Sequence, residues 1–169
     1  MPNADRHGWQ EFQGYLSAHD GWLSRYNDHF LIENTLKIEV IDPRTLLISG
    51  RLRCIGDLFI DVSKTLEMNS RQQVRTVKYS YHAGIVGAAD RPIFRYDNYH
   101  AHPGHDDEHH RYHYDISTWK EIKPPEWVGH QGWPTLGEVI DELFEWWNEV
   151  GRFALNHDPG DIRDRSSLS

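Results

Sequence analysis

Hydrophobic positions recur along this chain with two different periods. Over residues 8–28, Trp9, Phe12, Leu16 and Leu23 share one helical face, with Tyr15 and Tyr26 at its margins. This predicts an N-terminal helix, which Gly14 and Asp20-Gly21 divide into two short ones near Asp20. From Phe30 the period falls to two. Leu36, Ile38 and Val40 alternate with Lys37 and Glu39, and Asp42-Pro43-Arg44-Thr45 makes a turn. Leu46, Ile48 and Leu52 continue the alternation, with a bulge expected at Ser49-Gly50. After a turn at Gly56-Asp57, Leu58, Ile60 and Val62 point inward while Asp61, Ser63 and Thr65 point out. Asn69-Ser70 turns into a strand over 74–82, and a strand over 93–97 follows the loop around Gly84, Gly87 and Asp90. The longer period returns after a loop containing Pro124-Pro125, Gly129 and Gly132-Trp133-Pro134. There Thr135 is an N-cap and Glu138 completes a capping box. Val139, Ile140, Leu143, Phe144, Trp147 and Val150 form the buried stripe that follows.

These elements predict an α+β fold: an antiparallel meander sheet of about five to six strands, flanked by an N-terminal helix and a C-terminal helix. One sheet face should be packed and the other exposed. Residues 1–157 read as one domain. Residues 158–169 read as a flexible polar tail.

Composition narrows the partners. A formal charge of −8 argues against a general nucleic-acid-binding surface. The acids, however, gather in 138–149 and 158–164, which leaves room for a locally positive site elsewhere. The one cysteine, Cys54, excludes a disulfide framework and a cysteine-based zinc site, and reads as an inert small hydrophobe. No apolar run reaches membrane-spanning length, so the chain reads as soluble and cytoplasmic. Trp127, Trp133, Trp146 and Trp147 read as packing for the C-terminal helix.

The chemistry concentrates in residues 77–115, which hold seven of the twelve histidines: His82, His100, His102, His105, His109, His110 and His113. Tyrosines are interleaved among them. Antiparallel pairing of the strands over 74–82 and 93–97 would put His82, Arg95 and Asp97 on one polar face. Asp97 would then orient the imidazole, His82 move a proton, and Arg95 hold a phosphate or developing negative charge. A buried polar network closing the sheet is the other reading of the same trio. His109, His110 and His113 are the next candidates for acid–base work. Tyr96, Asn98, Arg111 and Tyr112 are candidates for substrate contact, because single-stranded RNA is held by stacking and polar contacts. His100, His102 and His105, with acids between the later histidines, offer ligands for a divalent metal such as zinc or nickel, functional or adventitious. Acid–base cleavage of RNA needs no such metal.

The segments Tyr-Ser-Tyr-His (79–82), Phe-Arg-Tyr-Asp-Asn (94–98), His-x-His-Pro (100–103) and His-His-Arg-Tyr-His (109–113) resemble the TumE-type toxin family of toxin–antitoxin pairs. The helix entry over 133–140 is also similar, and the resemblance spans roughly residues 35–143. Family members typically read Asp-Asn-x-Pro-His-His-Pro and then His-His-Lys-His. Here Tyr99-His100-Ala101-His102 replaces the first, and Arg111-Tyr112 lengthens the second. The resemblance implies a toxin held in check by a cognate antitoxin carrying a helix-turn-helix domain. The element order is also similar to RelE-type and barnase-like ribonucleases. An endoribonuclease toxin, with RNA as substrate, is the leading expectation. The alternatives are a non-enzymatic histidine-rich metal-binding module and an interaction protein that docks a partner, or a second copy of itself, through its C-terminal helix.

Overall fold

A computed structural model describes residues 6–87 and 89–156, so the expected tail over 158–169 lies outside the described residues. In chain order the elements are β1 (Gln10–Glu11), α1 (Phe12–Tyr26), β2 (Leu31–Asn34), β3 (Lys37–Asp42), β4 (Thr45–Cys54), β5 (Leu58–Met68) and β6 (Gln73–Ile85). Then come β7 (Arg91–Asp97), β8 (His110–Tyr114), β9 (Glu121–Trp127), α2 (Gly129–Gly132) and α3 (Leu136–Trp146). A π-helical turn, Trp147–Gly151, leads into α4 (Arg152–Asn156). The fold is α+β, built on one antiparallel sheet.

Among the described residues that sheet has nine strands, more than the five or six expected. Its spine runs β2-β4-β5-β6-β7-β8-β9, with β3 also on β4 and the short β1 on β6. The additional length comes mainly from β8 and β9, which were expected as loop. The alternation in β8 is between imidazole, phenol and guanidinium groups, so no aliphatic period announces it. Pro124 and Pro125 fall in β9, the terminal strand of the spine, within the register shift of its pairing with β8, so neither occupies a paired position of the ladder.

The packed face follows from parity. In β5, Leu58, Ile60 and Val62 sit opposite Ile85, Ala83 and Tyr81 of β6, and all six are buried. Over them lie Leu23 and Tyr26 of α1 and Leu136, Val139, Ile140 and Leu143 of α3. Burying each such aliphatic side chain contributes roughly 1.5–3 kcal/mol. Thr135 caps α3 as expected: its hydroxyl accepts from Glu138 N at 3.2 Å, and the Glu138 carboxylate accepts from Thr135 N at 3.3 Å. α3 crosses α1 at Gly137, where a Cβ would lie 2.8 Å from the Trp22 ring, so only glycine permits that approach. α1 is one unbroken helix, because Gly14 and Gly21 both lie on its exposed side and interrupt no packing.

Two strand expectations are corrected. No bulge separates β4 from β5 at Ser49-Gly50; the register runs straight through Gly50↔Val62. Glycine is needed at that position because the chain passing from β2 to β3 crosses over it, and a Cβ there would stand 2.5 Å from the Thr35 carbonyl oxygen. β3 was expected to contribute an inward face, yet every residue in it is exposed, Val40 at 75%. No described helix of the molecule is long and apolar enough to cross a membrane.

Candidate active site

Opposed residues in antiparallel strands share a face, and the register therefore lines up side chains across the sheet. On the face opposite the helices, Arg51 of β4 sits across from Asp61, Asp61 from His82, His82 from Arg95, and Arg95 from Tyr112. The adjacent row reads Ser49, Ser63, Ser80, Asp97, His110 and Trp127. His82, Arg95 and Asp97 do share one polar face.

Their contacts are not those of a simple triad. Arg95 Nε lies 2.9 Å from Asp97 Oδ2, and the Asp97 side chain is 3% exposed. That Nε–H is not aligned for a hydrogen bond, so the pair is electrostatic. The guanidinium lies 4.3 Å over the Tyr112 ring. The carboxylate opposite His82 is Asp61, itself held by a two-pronged Arg51 contact at 2.7 and 2.9 Å. Asp97 stands opposite His110 instead. Burial lowers the His82 pKa, opposed by Asp61 and reinforced by Arg95 and Arg51, so the ring is neutral at pH 7.

The loop before β8 folds back onto this face. His102 Nε2 shares a 2.9 Å hydrogen bond with the Tyr112 hydroxyl, and its ring lies 4.2 Å from that of His110. His110 is fully buried, its pKa lowered by that burial, and its Nε2 shares a 2.7 Å hydrogen bond with His105 Nδ1. His105 stacks on Trp127 at 5.2 Å, and the Trp127 indole N–H donates to Asp107 at 2.9 Å. Trp127, expected to pack the C-terminal helix, is 41% exposed and serves this loop.

Other candidates lie on the helix-covered side. His109 shares a 2.9 Å hydrogen bond with the Tyr79 hydroxyl and stacks on Trp133, and burial lowers its pKa. His113 stands opposite Phe94, on the same side as the core. Tyr96 OH donates to Glu142 of α3 at 2.5 Å, and Arg111 donates to the same carboxylate at 3.2 Å. These two tie α3 to the sheet. Asn98 accepts from Tyr79 N and donates to Val77 O, both at 3.0 Å, and so pairs β6 backbone just beyond the end of β7, whose last partner in β6 is Ser80. His109, His110 and His113 are thus split between the faces rather than gathered.

Among the described residues, no group of three or more His, Cys, Asp or Glu side chains is arranged to hold a metal ion. The reason is visible in the bonding. His105 and His110 turn their nitrogens toward each other, His102 turns Nε2 to Tyr112, and His100 is exposed. The donors do not converge on a common point.

Arg51, Asp61 and Lys64 were not singled out from sequence. Parity carried the signal for all three: Arg51 falls in the phase opposite to Ile48 and Leu52, Asp61 in the phase opposite to Leu58, Ile60 and Val62, and Lys64 in the inward phase of those three. Cys54 is buried, with its thiol pushed up to about 12 by burial, in keeping with an inert role.

A family model described as toxin TumE matches residues 21–152. No curated protein and no solved structure matches the chain.

Proposed function

The chain belongs to the TumE toxin family, and from that premise we propose that it is an endoribonuclease whose site is the open sheet face centred on Arg95. Membership of a toxin family implies a cognate antitoxin as partner; an antitoxin with a helix-turn-helix domain is part of this proposal. The observation that carries the enzymatic reading is the cross-strand row His82, Arg95, Tyr112, with His102 bonded to Tyr112.

Adjacent strands are about 4.8 Å apart, so His82 and Tyr112 flank Arg95 with roughly 10 Å between their backbones. A phosphodiester seated on Arg95 would have a proton-transfer group on either side. Neutral His82 takes the proton of the ribose 2′-OH as that oxygen attacks phosphorus. Arg95 meets the charge on the phosphorane oxygens, where one well-placed donor is worth about 10²–10³ in rate. His102, held by Tyr112, gives a proton to the departing 5′-oxygen. The new P–O2′ bond and the broken P–O5′ bond leave a 2′,3′-cyclic phosphate and a 5′-hydroxyl. Asp97 positions Arg95, and His110 with His105 holds the loop that carries His102. Exposed Tyr99 and Trp127 at the margin of the face offer surfaces on which unpaired bases stack. No step is routed through a metal.

The test is incubation of purified protein with a panel of single-stranded and structured RNAs in EDTA. Cleavage with cyclic-phosphate ends is expected. Intact RNA across the panel, from protein with a cooperative unfolding transition, sinks the proposal.

A further inference from the structure

On the opposite face, beneath α1, the packing is interrupted. Lys64 of β5 is inward-facing, 3% exposed, and stands in a cross-strand row between Ile48 and Tyr79. It lies at the seam between two hydrophobic clusters, one containing Tyr81 and Trp133, the other Tyr15, Ile48 and Leu66. A cavity of about 110 Å³ opens beside it, lined among others by Tyr15, Thr76, Tyr81 and Trp133. Its rim carries Arg6 and Gln10, both exposed, and Arg6 is already ion-paired with Glu138.

Among the described residues the lining holds no carboxylate. Among the described residues no carboxylate meets Lys64; the rings of Tyr15 and Tyr81 lie at 4.8 and 6.0 Å, and the buried, neutral imidazole of His19, its pKa lowered to about 3 by burial and by Lys64, is within electrostatic reach. Burial alone brings its pKa down to about 7. The Tyr15 hydroxyl, the Tyr81 hydroxyl and the Trp133 indole N–H are buried without hydrogen-bond partners. The Thr76 hydroxyl lies beside that of Tyr15 without a well-aligned bond. The indole N–H only donates, the Lys64 ammonium only donates while it is charged, and phenols donate readily. Orphaned buried donors each cost roughly 1–3 kcal/mol. The chain has therefore concentrated several uncompensated donors around one small space. The volume equals three or four waters at about 30 Å³ each, which is also the size of a phosphate or short carboxylate group. Water satisfies donors but leaves a buried ammonium without a counter-charge; an oxyanion does both.

We infer that this cavity binds one small oxyanion, a phosphate or carboxylate group, with Lys64 as counter-ion and Tyr15, Tyr81 and Trp133 as donors. The site is distinct from the open face. Arg6, Gln10 and Tyr15 also precede residue 21, where the family match begins, so part of the cavity wall lies outside the matched span. A free anion and the terminal group of a larger ligand share this chemistry, since the exposed rim lets the remainder of a ligand project outward.

The experiment is a titration of the full chain with inorganic phosphate, acetate and a nucleoside monophosphate, read by calorimetry and thermal unfolding, with chloride as control. One saturable site per chain is expected for at least one oxyanion. Binding by inorganic phosphate or acetate indicates a free anion, and binding by the nucleotide alone indicates the terminal group of a larger ligand. Lys64→Met should remain folded, since it replaces an unpaired buried charge by an apolar chain, and, combined with Arg95→Ala so that the open face offers no phosphate contact, should lose the saturable response entirely. Tyr15→Phe should weaken it about tenfold. Arg95→Ala should leave it unchanged. No saturable response in wild type means a water-filled cavity and overturns the inference. So does a response that survives Lys64→Met in the Arg95→Ala background or disappears in Arg95→Ala alone.

Discussion

The two faces of one sheet are made from the same strands and opposite phases of the same alternation, yet they answer to different constraints. On the covered face, polar groups serve packing. Tyr96 and Arg111 grip Glu142 of α3, and His109 packs parallel to Tyr79 and Trp133, which stack on each other at 4.4 Å. On the open face, Arg51, His82, Arg95 and Tyr112 line up without a helix above them; the loop before β8 folds against Tyr112, and Asp90 of the β6–β7 loop pairs with Arg51. The neighbours His109 and His110 show the lesson at its smallest scale. One residue of register separates an imidazole bound to the core from one set opposite Asp97. Residue type alone does not mark the site; phase does.

The sharpest way to break this comparison is to remove the open-face base. His82→Ala should reduce RNA cleavage by about 10²–10⁴-fold, while its unfolding midpoint stays near wild type because the ring is only half-buried. A parallel loss of stability and activity would move His82 to the structural side. The covered face should behave inversely. Ile140→Ala, at a fully buried position, should cost about 2–5 kcal/mol in denaturant unfolding. The cleavage rate per folded molecule should be retained.

Lys64 is the exception within the covered face and yields a third test. Its folded pKa of about 7 lies below the unfolded 10.5, so the unfolded chain holds more protons between those values. Stability must then rise with pH through that window. In oxyanion-free buffer, Lys64→Met should be more stable than wild type at pH 7 by up to a few kcal/mol and should lack that part of the rise. A wild-type profile flat between pH 7 and 10 would place Lys64 in a wetter or paired environment. A subtler effect concerns the acid side of catalysis. His82 must be unprotonated to act as base, and burial lowers its pKa below 6.5. The loss of cleavage on acidification should therefore be centred below 6.5. The smallest change should come from Glu142→Gln. It weakens the contacts to Tyr96 and Arg111 by about 1 kcal/mol in unfolding, with little change in cleavage.

The part of this arrangement legible in sequence is the part written in aliphatic periodicity and capping. Leu58, Ile60 and Val62 located the core strand, Thr135 and Glu138 the start of α3. The sharing of a face by His82 and Arg95 followed from pairing two strands that alternation had already identified. What stayed hidden lacked an aliphatic signal. β8 alternates polar aromatic and charged groups, and β9 contains two prolines that read as loop until its edge position is known. Which histidines meet was also out of reach, because it depends on how residues 98–109 fold back. Lys64 was assigned no role because lysine ordinarily faces water, although its phase already placed it inside.

The central claim, that the open face centred on Arg95 cleaves RNA, is tested most directly by single-turnover cleavage in EDTA with wild type and Arg95→Ala compared at matched folded fractions. Wild type should produce 2′,3′-cyclic phosphate ends, and Arg95→Ala should be slower by about 10²–10³-fold. Equal rates in the two proteins, or RNA left intact by folded wild type, would contradict it.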